Sequence, residues 1–130
     1  MGLLSRLENS LEKHIEGLFK NREGSDSLNG KPHSSGARLR AESGSRRGQF
    51  FFLPEAGAVI GRDAKCDLLL EDPRASRIHA RIEKSSGIYV IKDLESTNGL
   101  YINGVRVQSA ELKPGDTIGL GTTLFTFEVE

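Results

Sequence analysis

Two arginines, a serine, a threonine and an asparagine set the chemistry open to this chain. Arg62 follows Gly61, Ser76 and Arg77 precede Ile78 and His79, and Thr97 and Asn98 precede Gly99. Guanidiniums present planar forks of donors, hydroxyls both donate and accept, and a carboxamide does the same with two separate atoms. Gathered in one place, these groups suit a phosphate carried on a polar chain. Catalysis fits them less well. Ser76 and His79 could pair as nucleophile and base, yet no acid is spaced to orient the histidine and no glycine loop stands beside the serine to hold an oxyanion. His79 therefore reads as a structural histidine bonded to loop backbone. His14 and His33 share no metal-ligand spacing with it. Asp67, Glu71 and Asp72 lack the calcium-loop pattern and read as a solvated turn. No catalytic residue, metal or other cofactor is expected.

Such a site needs loops held on a rigid body, and residues 49–130 have the pattern of one. Short apolar runs alternate with turn signals every eight to twelve residues, as in a β-sandwich or barrel. Candidate strands are 50–53, 58–60, 67–70, 78–83, 88–93, 101–102, 105–107, 117–120 and 124–129. Ile78, Ala80 and Ile82 alternate with His79, Arg81 and Glu83, giving that strand two distinct faces. No helical period of ten residues interrupts the region, which rules against alternating strand and helix. The expected fold is all-β, a sandwich or a barrel.

Two Asn-Gly pairs stand five residues apart, at Asn98-Gly99 and Asn103-Gly104. Asn-Gly between β-formers is a strong hairpin signal. Asn103-Gly104 lies between Tyr101-Ile102 and Val105-Arg106-Val107, so it is the hairpin turn. Asn98-Gly99 follows the polar stretch Leu94-Glu95-Ser96-Thr97 and reads as a loop offering an amide and hydroxyls. In a sandwich, alternate connections fall at one end. The loops carrying Arg62, Ser76-Arg77 and Thr97-Asn98 can then converge. Arg62, Lys65, Arg74, Arg77 and Arg81 concentrate positive charge around the first two, on a body that is net acidic from residue 50 onward. A basic focus on an acidic body favours one anionic ligand over a long polyanion.

Upstream, residues 3–19 have Leu3, Leu4, Leu7, Leu11, Ile15, Leu18 and Phe19 at helical spacing, with charged residues between them. They predict a short amphipathic helix, marginal alone, whose stripe packs on its own domain, on a copy of itself or on another protein. Residues 20–48 are rich in Ser, Gly, Arg and Asn without apolar period, and predict a flexible, disordered linker. It holds seven basic and three acidic residues. It is a solvated tether or, on the alternative reading, a contact for nucleic acid or a membrane surface. The expected domains are thus 1–19, 20–48 and 49–130.

The chain of 130 residues has equal numbers of basic and acidic groups, which argues against a whole-protein polyanion binder. A single cysteine, Cys66, makes no internal disulfide and fits packing in a reducing compartment. No apolar run approaches the roughly 18 residues that span a bilayer, and the opening lacks a signal-peptide pattern. A cytoplasmic location is expected.

Gly-Arg at 61–62, Ser-Arg-Ile-His at 76–79 and Ser-Thr-Asn-Gly at 96–99, in this order and followed by Asn103-Gly104, resemble the forkhead-associated (FHA) domain. The likeness covers residues 49–130. It implies a two-sheet antiparallel β-sandwich of the FHA/SMAD-like kind whose apical loops bind phosphothreonine peptides. By that likeness Arg62, Ser76 and Arg77 match the phosphate-contacting positions. Thr97 and Asn98 match those that shape the pocket and bond the peptide backbone. Gly61, His79, Gly99, Asn103 and Gly104 match positions that support loops. The opening Met-Gly-Leu-Leu-Ser-Arg also resembles the start of bacterial proteins that join an N-terminal domain to a C-terminal FHA domain.

The function this implies is a non-enzymatic phosphothreonine-peptide adaptor in Ser/Thr kinase signalling. A phosphorylation-independent scaffold is the alternative, and nucleic-acid binding through the basic linker a further one. The first threonine in the chain is Thr97. A threonine-selective site thus finds no ligand in its own upstream segment, and the expected partner is a phosphothreonine-containing protein in trans, a Ser/Thr kinase or its substrate. Self-association through residues 3–19 is a second expected contact.

Overall fold

A computed structural model describes residues 34–130 of the chain. The helix expected at 3–19, and the linker as far as residue 33, fall outside the described residues. Within them the elements are all strands: β1 Ser34–Ala41, β2 Phe50–Pro54, β3 Ala58–Gly61, β4 Leu68–Leu69, β5 Ala80–Ser85, β6 Ile88–Asp93, β7 Leu100–Ile102, β8 Val105–Val107, β9 Ser109–Leu112, β10 Thr117–Leu120 and β11 Thr123–Val129. They form two sheets, one in the order β2-β1-β11-β10-β7-β8 and the other β4-β3-β5-β6-β9.

The linker expectation is corrected over residues 34–48. Residues 34–41 form β1, paired antiparallel with β11 (Leu39 opposite Phe127) and with β2 (Leu39 opposite Phe51). Its buried residues are Ser35, Ala37, Leu39 and Ala41. Arg38 and Arg40 point outward, where they pair with Glu128 and Glu42. The period of two was present, but of its four inward residues one is a serine and two are alanines, so they do not register as an apolar run. Four of the seven cations assigned to a tether, Arg38, Arg40, Arg46 and Arg47, therefore belong to the folded body, which weakens the case for a basic nucleic-acid arm.

Smaller differences have local causes. The strand expected from residue 78 begins at Ala80; His79, whose N–H donates to the Ile60 carbonyl (2.8 Å) and whose carbonyl accepts from Leu94 N–H (2.9 Å), lies just ahead of it. Strand β9 has only four residues and alternates polar with apolar too briefly to stand out. The sheets are antiparallel except at β3 and β4, which run parallel with Ile60 opposite Leu68.

Inward residues of both sheets fill one core. Leu39, Leu53, Ile60, Ile82, Ile91, Leu100, Ile118, Leu120 and Phe127 are fully buried. Tyr89 meets Phe127 edge to face, with ring centroids 5.2 Å apart. Its hydroxyl donates to the Ser35 carbonyl (2.6 Å), so the one polar atom of that ring is satisfied. Asn103 and Gly104 both have positive φ, +52° and +83°, and join β7 to β8 as a two-residue turn with Ile102 opposite Val105. Such a turn matches the twist of the flanking strands.

Candidate functional site

Strand direction gathers the loops. β3 and β6 run toward one end of the sandwich, and β5 and β7 run away from it. Connections 62–67, 70–79 and 94–99 therefore meet there, beside the 42–49 loop and the β10–β11 turn. Direct bonds lock the first three together. The Ser76 hydroxyl accepts from the Thr97 N–H (2.9 Å). The Asn98 amide Nδ2 donates to the Arg74 carbonyl (2.6 Å). Arg62 Nε donates to the Ala75 carbonyl (2.5 Å), and its backbone N–H to the Ser76 carbonyl (3.1 Å).

These bonds decide what remains for a ligand. Ser76 spends a lone pair on Thr97 and keeps its hydroxyl hydrogen to donate. Arg62 is exposed and bonds through Nε, which leaves the two terminal nitrogens of its fork facing solvent. Arg77 is exposed, and its guanidinium lies 3.6 Å from the Asp63 carboxylate. Thr97 is exposed and Asn98 half-buried beside them. One hydroxyl, two guanidiniums and an amide thus share one rim, the donor set that a dianion with a peptide attached requires.

Beneath the rim sits His79, fully buried. The Ser76 N–H donates to its Nδ1 (3.1 Å), so the ring proton is on Nε2, which donates to the Gly99 carbonyl (2.8 Å). A neutral imidazole thereby ties the second loop to the third. Gly61 has a different task. A Cβ there would stand 2.2 Å from the Arg77 carbonyl oxygen and 2.8 Å from its carbon, so only glycine lets the first two loops approach. Gly99, at φ +90°, has its open side filled by the Arg106 guanidinium, whose Nε would lie 2.6 Å from a Cβ.

Not every expected residue comes to the site. Asn103 and Gly104 lie at the far end of β7. There the Asn103 carboxamide accepts from Thr117 N–H (3.0 Å) and donates to Asp116 (3.0 Å), bracing the turn before β10 rather than the apical loops. Arg81 is on β5 and pairs with Glu83.

Asp72 and Ser96 take roles that the sequence reading did not give them. Asp72, expected in a solvated turn, is 5% exposed. Its Oδ2 accepts from the Thr122 N–H (2.7 Å) and from the hydroxyls of Thr122 (2.9 Å) and Thr123 (2.8 Å), and its Oδ1 from the Arg74 N–H (2.9 Å). Burial by itself would raise the Asp72 pKa. The bonds from Arg74, Thr123 and Thr122 outweigh it and bring the carboxyl down to about 2. Ser96 is also buried. It accepts from Gly99 N–H (3.0 Å) and donates to Asp93 (2.6 Å), which shapes the third loop. The Cys66 thiol is pushed up to about 12, first by burial and then by the charge of Asp63, as suits a packing residue.

The FHA domain profile matches residues 58–121. The chain is 34% identical over 94 residues to the glycogen accumulation regulator GarA of Mycolicibacterium smegmatis, covering 72% of this chain and 60% of that protein's length. It resembles the solved FHA domain of FhaA in complex with the intracellular domain of Rv3910, at 33% identity and a TM-score of 0.66, over 71% of this chain and 99% of that one. A second solved likeness is the MEK1 FHA domain in complex with the HOP1 pThr318 peptide, at 26% identity and a TM-score of 0.61, over 73% of this chain and 97% of that one. One-third identity along nearly the whole of a solved FHA domain, on the same sandwich, makes this chain a member of the FHA domain family.

Proposed function

We propose that residues 34–130 bind a phosphothreonine peptide of another protein and act in Ser/Thr kinase signalling as a non-catalytic adaptor. The observation that carries this reading is the bond from Thr97 N–H to the Ser76 hydroxyl. It sets the second and third loops edge to edge, with Arg62 and Arg77 flanking Ser76. In this reading Arg62, Ser76 and Arg77 hold the phosphate, and Thr97 and Asn98 hold the peptide backbone. Gly61, His79 and Gly99 keep the loops in place. The FhaA and MEK1 likenesses, each solved with a bound partner, support it.

A phosphothreonine brings about −1.5 to −2 charges and three acceptor oxygens. Each charge-assisted bond is worth roughly 1.5–3 kcal/mol. Three or four of them, less the cost of ordering a peptide, give about −8 kcal/mol, a micromolar and reversible affinity. Titration of the full chain with a phosphothreonine peptide and its unphosphorylated twin tests the proposal. Micromolar binding of the first only, abolished by Arg62→Ala or Ser76→Ala, is expected. Equal binding of both peptides would instead mean a phosphorylation-independent surface.

A further inference from the structure

Among the described residues, β2 is the outermost strand of the six-stranded sheet, and its sequence is Phe50-Phe51-Phe52-Leu53-Pro54. Phe51 is half-buried and Leu53 is buried, but Phe50 and Phe52 are 45% and 49% exposed. Their rings lie side by side on the outer face, 6.4 Å apart. Edge strands are normally guarded by charge, by an early proline or by a bulge of their own. β2 has no charged residue, its proline comes last, and the register shift it shares with β1 lies beyond Phe52, between Ser34 and Arg38.

Bonding parity shows which backbone groups the edge presents. The Ala41 N–H donates to the Gln49 carbonyl (2.9 Å), and the register continues with Arg40 opposite Phe50, Leu39 opposite Phe51 and Arg38 opposite Phe52. Bonded pairs alternate in an antiparallel ladder. Phe51 therefore turns its N–H and C=O toward β1, while those of Phe50 and Phe52 point off the sheet.

We infer that this edge pairs with the same edge of a second copy of the chain. A two-fold axis through Phe51 sets Phe50 opposite Phe52 of the second copy, and Phe52 opposite its Phe50. Both pairs are then of the bonded kind, so four N–H···O=C bonds form, and Phe51 meets Phe51 in the non-bonded position its inward-facing groups require. The same register gathers four phenyl rings in a two-by-two cluster on the outer face. Arg38, whose guanidinium carbon lies 4.5 Å from the Phe50 centroid, flanks the cluster from behind. The guanidiniums of the two copies stay about three strand spacings apart, ~14 Å, beyond the screening length. A single segment thus supplies the backbone groups, the aromatic residues at alternate positions and the absence of like charge that its own partner must have. That self-complementarity names a second copy as the occupant.

Four half-exposed rings of about 150–250 Å² each cover ~300–500 Å². This is below the roughly 1,200 Å² of stable interfaces, so the pairing is transient, with a Kd on the order of 100 μM. Sedimentation of the full chain from about 10 μM to 1 mM tests it, together with amide exchange at Phe50, Phe51 and Phe52 over the same range. A dimer is expected, with exchange at Phe50 and Phe52 slowed about threefold or more at 1 mM while Phe51 stays protected throughout. Phe52→Lys, and independently Phe50→Lys, should shift dissociation at least tenfold with the circular dichroism spectrum unchanged. A chain monomeric at 1 mM overturns the inference, and so does a dimer whose Phe50 and Phe52 amides ignore concentration. A dimer indifferent to both lysine variants overturns it too, placing association elsewhere. Concentration-independent protection of the two amides does the same, because the edge is then covered within one chain.

Discussion

Replacing Asp72 by asparagine should loosen the apex and change how the body responds to acid. The carboxylate takes three bonds on Oδ2 and one on Oδ1, all from donors. An asparagine has one acceptor edge and one donor edge, so either the Thr122–Thr123 trio or the Arg74 N–H meets a donor. Losing charge-assisted bonds and leaving buried donors unpaired costs about 2–4 kcal/mol, or about 10–20 °C in Tm for a body of this size. The pH dependence has a definite sign. The native carboxyl titrates at about 2 against an ordinary 3.8. Its contribution is therefore complete above the ordinary value and is lost as pH falls from about 4 toward 2. A shift of nearly two units corresponds to about 2 kcal/mol. Urea unfolding followed by far-ultraviolet circular dichroism, at pH 7 and in steps down to pH 2, reads both effects. The gap between parent and variant should be widest at pH 7 and narrow by about 2 kcal/mol on the way to pH 2. A gap that is constant with pH, or smaller than about 0.5 kcal/mol throughout, would refute the assignment of Asp72 as a buried, ionised clamp. The Arg74 and Ala75 carbonyls hold Asn98 and Arg62, so the same variant should also weaken phosphopeptide binding.

Gly61→Ala puts a methyl group 2.2 Å from the Arg77 carbonyl oxygen, which is backbone with little room to yield. Calorimetric titration should show phosphopeptide affinity down more than tenfold, with at least about 2 kcal/mol lost in stability. His79→Ala removes both ring bonds and opens a cavity between two loops. It should cost about 3–5 kcal/mol by denaturant titration and lower phosphopeptide affinity even though the ring touches no ligand. Cys66, with its thiol near 12, should resist iodoacetamide at pH 8 in the native protein and react readily in urea.

What could be read from the sequence was what local rules decide. Asn103-Gly104 declared itself because a two-residue turn with positive φ at both positions depends on its own residues and their β-forming neighbours. The trio Gly61-Arg62, Ser76-Arg77 and Thr97-Asn98 was legible because each member sits where a strand pattern stops. Asp72 was opaque for the opposite reason. Nothing within ten residues shows that Thr122 and Thr123, fifty positions downstream, will close over its carboxylate. Strand β1 was missed because its buried face consists of a serine, two alanines and one leucine, and its outward arginines look like tether until Glu128 stands beside them. Ser96 read as one of the loop hydroxyls offered to a ligand, since its bonds to Asp93 and Gly99 take shape only once the third loop folds back on itself.

The pairing of the first described strand with the last has a geometric corollary. β1 climbs toward the binding rim from Ser34, and β11 descends from it to Val129, so Ala37 lies opposite Val129 and Glu130 bonds back to Gly36. Ser34 and Glu130 therefore both lie at the pole farthest from the three loops. A tag fused behind Glu130 starts from that lower pole, away from the upper one that the loops crown.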